Sequence, residues 1–232
     1  MEYLIALNWN VIGQIVLIDI LLGGDNAVVI ALACRGLAEQ QRRQGVIWGT
    51  AGAIGLRLIL ILFAVFLLQI PFLKFIGGIL LLWIGIKLTR SHNASNLDIS
   101  ASTKLVTAIK TIIVADFVMS LDNVIAIAGA TEASNPEHRF ALIAFGLILS
   151  IPIIVFGSQI ILKVLDRFPW IVIAGAALLG WIAGGLVISD PFFHNIDLFK
   201  NQWIVLMSKF FGLLLVLSIS YLLKFSDKKN LA

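Results

Sequence analysis

Seven long apolar runs constrain this chain more than any other feature. They lie at about residues 11–33, 45–68, 71–89, 106–130, 139–163, 169–189 and 202–224. A helix that spans a bilayer needs about 20 mainly apolar residues, and each run approaches or exceeds that length. A soluble domain averages about 25% charged residues, whereas this chain has 13%, with 60% hydrophobic. The expectation is an all-α membrane protein, a single transmembrane domain over residues 1–232, with very little soluble mass. The separators are Arg35 to Gln44, Gln69-Ile70-Pro71, Ser91 to Ser102, Glu132 to His138, Asp166 to Pro169 and Asp190 to Asn201. At Gln69-Ile70-Pro71 one long kinked segment is the alternative to two helices. Met1-Glu2-Tyr3 lacks the basic region of a secretory signal, so the first run is expected to stay as a membrane helix.

The Lys and Arg residues fall into alternate loops, which sets the orientation. With the N-terminus outside, the inner side receives twelve of the 17 basic residues, from Arg35, Arg42 and Arg43 to Lys228 and Lys229. The outer side receives Lys74, Arg139 and Lys200, and Arg57 and Lys209 lie within spans. Seven spans running N-out to C-in follow. The net charge of +4 is thus a property of membrane orientation, and no nucleic-acid partner is expected.

An internal repeat divides the spans. Asp19, Asp25, Asn26 and Gly49 recur 97 positions later as Asp116, Asp122, Asn123 and Gly146. After one inserted residue, Pro71, Gly77 and Trp83 recur 98 positions later as Pro169, Gly175 and Trp181. Repeat one covers 1–94, repeat two 104–190, and an extra helix 200–224 is left over. Three spans per repeat force opposite orientations, so the expected plan is a 3+3 inverted repeat, with a site near the midplane between the halves.

The polar residues of the repeat are the candidate site. An ionised Asp at the centre of a spanning helix costs roughly 2.5–3.5 kcal/mol on insertion scales. Asp19, Asp25, Asp116 and Asp122 therefore require cations, protons or a wet cavity. Six residues separate each pair by about 9 Å along the helix. Opposed directions would set Asp19 level with Asp122 and Asp25 level with Asp116. Asp19 and Asn26 share a helix face, while Asp25 points about 120° away unless the helix breaks at Gly23-Gly24. The second copy has Met119-Ser120 there, and Ser120 offers a hydroxyl oxygen. Carboxylates with the amides of Asn26 and Asn123 form a hard oxygen site suited to Mg²⁺, Ca²⁺ or Mn²⁺. His92, His138 and His194 lie in loops. Cys34 is the lone cysteine and reads as a small apolar residue at a helix end, which excludes a disulfide framework or a multi-cysteine cage.

Arg57 has no counterpart, since position 154 is Ile. It is expected to pair with an Asp, or to stand in for a cation when the site is empty. Lys209 either pairs likewise or snorkels outward. Pro152 lies inside the fifth span. Gly49, Gly52, Gly55, Gly77, Gly78, Gly180, Gly184 and Gly185 permit close helix packing, within the chain or across a homodimer.

Asp19 with Gly23-Gly24-Asp25-Asn26-Ala27, and Asp116 with Ser120-Leu121-Asp122-Asn123, resemble the TerC family of integral membrane proteins. The resemblance is closest to its small bacterial YjbE-type branch and covers essentially the whole chain. It implies a relation to LysE-like transporters, a place in the bacterial cytoplasmic membrane, and Mn²⁺ as the ion, exported from the cell. The residues alone imply only a hard divalent cation. The four Asp residues exceed the charge of one such ion, which suggests proton coupling. An intramembrane aspartyl protease built on Gly23-Gly24-Asp25, or an accessory protein that supplies metal to secreted enzymes, are the alternatives; no enzyme activity is expected.

Overall fold

The computed structural model describes residues 9–67, 70–90, 101–130, 136–168, 170–193, 196 and 201–229. Among them all regular structure is helical. The long helices are α1 (Trp9–Cys34), α2 (Glu39–Leu67), α3 (Leu73–Arg90), α4 (Ala101–Ala130), α5 (Pro136–Arg167), α6 (Ile171–Ile188) and α7 (Gln202–Lys229). A short 3₁₀ turn, Pro191–Phe193, follows α6. In hydrocarbon a helix satisfies its own backbone groups, so the apolar runs become helices. Pro152 is accommodated inside α5.

Among the described residues, four regions are long and apolar enough to cross a membrane: Glu39–Phe63, Phe140–Arg167, Ile171–Ile188 and Gln202–Leu223. A fifth is α1 when its two halves, Val11–Asp19 and Gly24–Cys34, count as one bent span. The expected number of seven is therefore met only in part by length and composition. α3 carries Lys74, Lys87 and Arg90 in 18 residues, and the described side chains of α4 include Lys104, Lys110 and Asp116.

The α2–α3 junction is a real break. Phe72 has a left-handed backbone (φ 66°), which costs a bulky residue energy and needs outside support. That support is Asp190, a fully buried residue just beyond α6. Its Oδ1 accepts from the backbone N–H of Phe72 and Phe192 (both 2.9 Å), and its Oδ2 from Lys74 and Phe75 (both 3.1 Å). One carboxylate thus caps the N-terminus of α3 and ties it to the end of α6. The rings of Phe72 and Phe192 pack against each other, tilted by 33° with their centres 4.4 Å apart.

In the bundle α1 packs on α5 and α4, α4 packs also on α2, α3 pairs with α6, and α6 with α7. Ile15, Ile54, Ile127 and Leu147 belong to one buried apolar cluster; Leu32, Leu81, Ile112 and Leu179 belong to another. Small residues set the closest approaches. A Cβ on Gly184 would sit 2.2 Å from the Ser208 carbonyl oxygen, and one on Gly180 2.5 Å from that of Gly212. Neither neighbour is a flexible side-chain end, so α6 and α7 would have to separate. Gly184→Ala is expected to destabilise by about 1–3 kcal/mol, read as a lower melting temperature in detergent.

Candidate metal centre

The site begins with α1, whose axis turns by 45° between Val11–Asp19 and Gly24–Cys34. A Cβ on Gly24 would meet nothing within 4 Å, so close packing does not demand glycine there. Its contribution is weak helix propensity at a bend. The turn puts Asp19 on one half of α1 and Asp25-Asn26 on the other.

Asp19 and Asp116 converge on Arg57. The Arg57 Nη1 donates to Asp19 Oδ1, its Nη2 to Asp116 Oδ1 at 2.5 Å, and its Nε to Ser120 Oγ at 3.0 Å. Ser120 Oγ lies 3.1 Å from Asp116 Oδ2, to which it donates. Ser150 of α5 donates to Asp19 Oδ2. Each carboxylate therefore has one oxygen held by the guanidinium fork and the other by a serine hydroxyl. Arg57 and Asp19 are each 1% exposed, and Ser120 and Ser150 are fully buried. A planar fork with five donors suits this double bridge, as a lysine ammonium would not. Two carboxylates around one guanidinium leave one negative charge uncompensated.

Asp25 and Asn26 are not hydrogen-bonded to this cluster. Asp25 Oδ1 and both amide atoms of Asn26 are buried without a hydrogen-bond partner, and so is Thr50 Oγ1 on α2. An unsatisfied buried polar atom costs about 1–3 kcal/mol, and such atoms in a native fold call for a ligand or an ordered water. Asn123 is buried as well; the side chain of Asp122 and the surroundings of Gly23 lie outside what is described, as do His92 and His194. Among the described residues no three His, Cys, Asp or Glu side chains converge as a ready metal cage. The oxygen donors are divided between the Arg57 cluster and the Asp25-Asn26 segment.

The expected pairing of levels requires correction. Asp19 and Asp116 are brought to one level, whereas Asp19 was expected beside Asp122. The expectation placed the midplane between the two carboxylates of each motif. Both are held by the Nη atoms of one guanidinium, that of Arg57, which brings the first Asp of each motif to its counterpart. The pairing expected of Arg57 is present, to two carboxylates at once. Lys209 behaves differently. Its Nζ lies 5.7 Å from the centre of the Trp181 ring, along the seam with Gly185, and among the described residues it forms no ion pair. Ser150 and Thr50 escaped the sequence reading. Each is a hydroxyl in an apolar run close to a repeated glycine, Gly146 and Gly49 respectively, which was the available signal.

The sequence model of the integral membrane protein TerC family matches residues 6–230. The chain is 43% identical over 201 residues to a protein of Bacillus subtilis (strain 168) named uncharacterized membrane protein YjbE, covering 87% of this chain and 86% of that protein. It is 26% identical to uncharacterized membrane protein YkoY of the same organism, over 75% of this chain and 62% of that one. It is 25% identical to UPF0053 inner membrane protein YgdQ of Escherichia coli (strain K12), over 80% and 83%. No solved structure matches. With a family match over nearly its whole length and a relative at this identity, the chain belongs to the TerC family of integral membrane proteins.

Proposed function

We propose that the protein is a divalent metal cation transporter of the cytoplasmic membrane, moving Mn²⁺ out of the cell through a site between α1 and α4. The single observation that carries this reading is the convergence of Asp19 and Asp116, one from each motif copy, on one buried positive charge. A pocket that holds a guanidinium between two carboxylates is built for cationic charge at the centre of the bundle. In the absence of cargo Arg57 supplies that charge. A divalent cation competes for the same oxygens, and Arg57 returns as the ion leaves. The surplus carboxylates would carry protons on the return step.

The seven-span, 3+3 inverted-repeat topology belongs to this proposal, and the packing supports it. Exchanging helices 1, 2 and 3 for 4, 5 and 6 turns the α1–α5 contact into α4–α2 and leaves α1–α4, α2–α5 and α3–α6 unchanged. The correspondence reaches single residues: Gly49 faces Ile112, and Gly146 faces Ile15. Both members of the second pair are the 97-residue counterparts of the first. Such a pseudo-two-fold is what alternating access between repeats uses.

Mn²⁺ flux into inside-out proteoliposomes tests the reading. Asp116→Asn is expected to slow it on the order of 10- to 100-fold, as loss of a metal-site residue does, and collapsing the proton gradient should slow the wild type. Wild-type vesicles no faster than empty ones would sink the transporter. The protease alternative is disfavoured by Arg57. A catalytic Asp pair shares a proton between its carboxyl groups, and Asp19, one partner that Asp25 could use, has both of its oxygens engaged by Arg57 and Ser150. A metal-supplying accessory role would use the same site.

A further inference from the structure

Beyond the Arg57 cluster lies a second set of oxygens that the packing leaves without partners. α1 and α2 form a hairpin joined through residues 35–38. Asn26 follows Asp19 by seven residues, and Thr50 precedes Arg57 by seven. Seven residues are close to two turns, about 10 Å, and return a side chain to nearly the same face. Because the two helices run in opposite directions, both steps lead toward the 35–38 loop. Asn26 and Thr50 are therefore displaced from the Asp19–Arg57 pair to the same side and by a similar length. The 45° turn in α1 falls between Asp19 and this segment and separates the two groups.

Their chemistry points to a ligand. Asn26 is 4% exposed and Thr50 2%, yet Asn26 Oδ1 and Nδ2, Thr50 Oγ1 and Asp25 Oδ1 make no hydrogen bond. A helical threonine ordinarily donates to a carbonyl one turn back, as Thr89, Thr107 and Thr111 do in this chain. Thr50 withholds its hydroxyl from its own helix. A carboxylate, an amide oxygen and a hydroxyl are the donors a hard divalent cation prefers.

We propose that Asp25, Asn26 and Thr50 form a separate station for the divalent cation, on the 35–38 side of the Arg57 cluster, with Thr50 supplying a neutral oxygen ligand. It rests on the transport reading and extends it: the ion is held here before it competes with Arg57 for Asp19 and Asp116. Two stations of unequal charge let the ion enter without first breaking the central ion pairs.

The test is Mn²⁺ titration of the full-length protein in detergent, followed by the paramagnetic resonance of the free ion, with melting temperatures measured with and without metal. Thr50→Val is expected to weaken Mn²⁺ binding about tenfold, the order of effect of a lost metal-site partner, and to leave the metal-free melting temperature unchanged. Thr50→Ser, which keeps the hydroxyl, should bind as the wild type does. If Thr50→Val binds Mn²⁺ normally while Asp116→Asn does not, the station is wrong and the transport reading stands. If Thr50→Val and Thr50→Ser both lower the metal-free melting temperature, Thr50 is a packing residue and the station is again wrong. If the wild type binds no Mn²⁺, both readings fall together.

Discussion

Replacing Arg57 by alanine is expected to destabilise the protein by about 3–5 kcal/mol, the cost of leaving buried charges without their partner. Asp19 and Asp116 would then face each other across a cavity, with only Ser150 and Ser120 to receive them. Arg57→Lys should recover only part of the loss, because an ammonium cannot fork between two carboxylates and also reach Ser120. The triple change Arg57→Met with Asp19→Asn and Asp116→Asn should recover most of it, since a neutral buried set of similar volume removes the desolvation cost of all three ions. Denaturation midpoints in a detergent titration would measure the series. The same variant separates a structural arginine from a cation surrogate. If Arg57 holds the place of the ion, Mn²⁺ should raise the melting temperature of Arg57→Ala more than that of the wild type, because a ligand that binds only the folded state stabilises it by mass action. Equal increments would show that Arg57 and the metal do not share oxygens.

Asp190→Ala should be the next most damaging change, at about 3 kcal/mol, combining a lost helix cap with unsatisfied buried donors. Four backbone N–H groups lose their acceptor, and Phe72 loses what holds it at a φ of 66°. Asp190→Asn, with one carbonyl oxygen remaining, should fall between. The pH dependence has a definite sign. Burial by itself would raise the Asp190 pKa, but the four N–H donors from Phe192, Phe72, Phe75 and Lys74 outweigh it and hold the carboxyl below its ordinary value. A depressed folded pKa stabilises above the unfolded value, near 3.9, and that contribution is lost as pH falls through the folded value. Melting temperatures of wild type and Asp190→Asn should therefore converge only below about pH 4. A gap that closes at higher pH would mean that Asp190 is not held by these donors.

Much of this molecule was legible in its residues. The long helices among the described residues fall close to the apolar runs, since a segment with so few polar groups has no other way to satisfy its backbone in lipid. The candidate acids were found because carboxylates are costly there and because they recur at a fixed offset. Arg57 was expected to pair, having no means of reaching water from the middle of α2. The level at which the carboxylates meet is set by which of them the Arg57 guanidinium reaches, and an apolar run does not mark that. Lys209 went to the face of Trp181 because its position beside Gly185 leaves an aromatic ring within reach.

By itself, the sequence determined the class of protein and the residues at which charge must be explained, because lipid leaves little choice about backbone and every buried acid is conspicuous. Only the tertiary structure decided how those charges are shared. It joined Asp19 and Asp116 through Arg57, and it recruited Ser150 from α5, which has no repeat partner in the first half: position 53 is Ala. It also left Asp25, Asn26 and Thr50 with oxygens unspent. The physical reason is that hydrogen bonding acts over about 3 Å, a scale fixed by helix register and packing rather than by residue type, and two repeats of the same pattern meet there with different side chains.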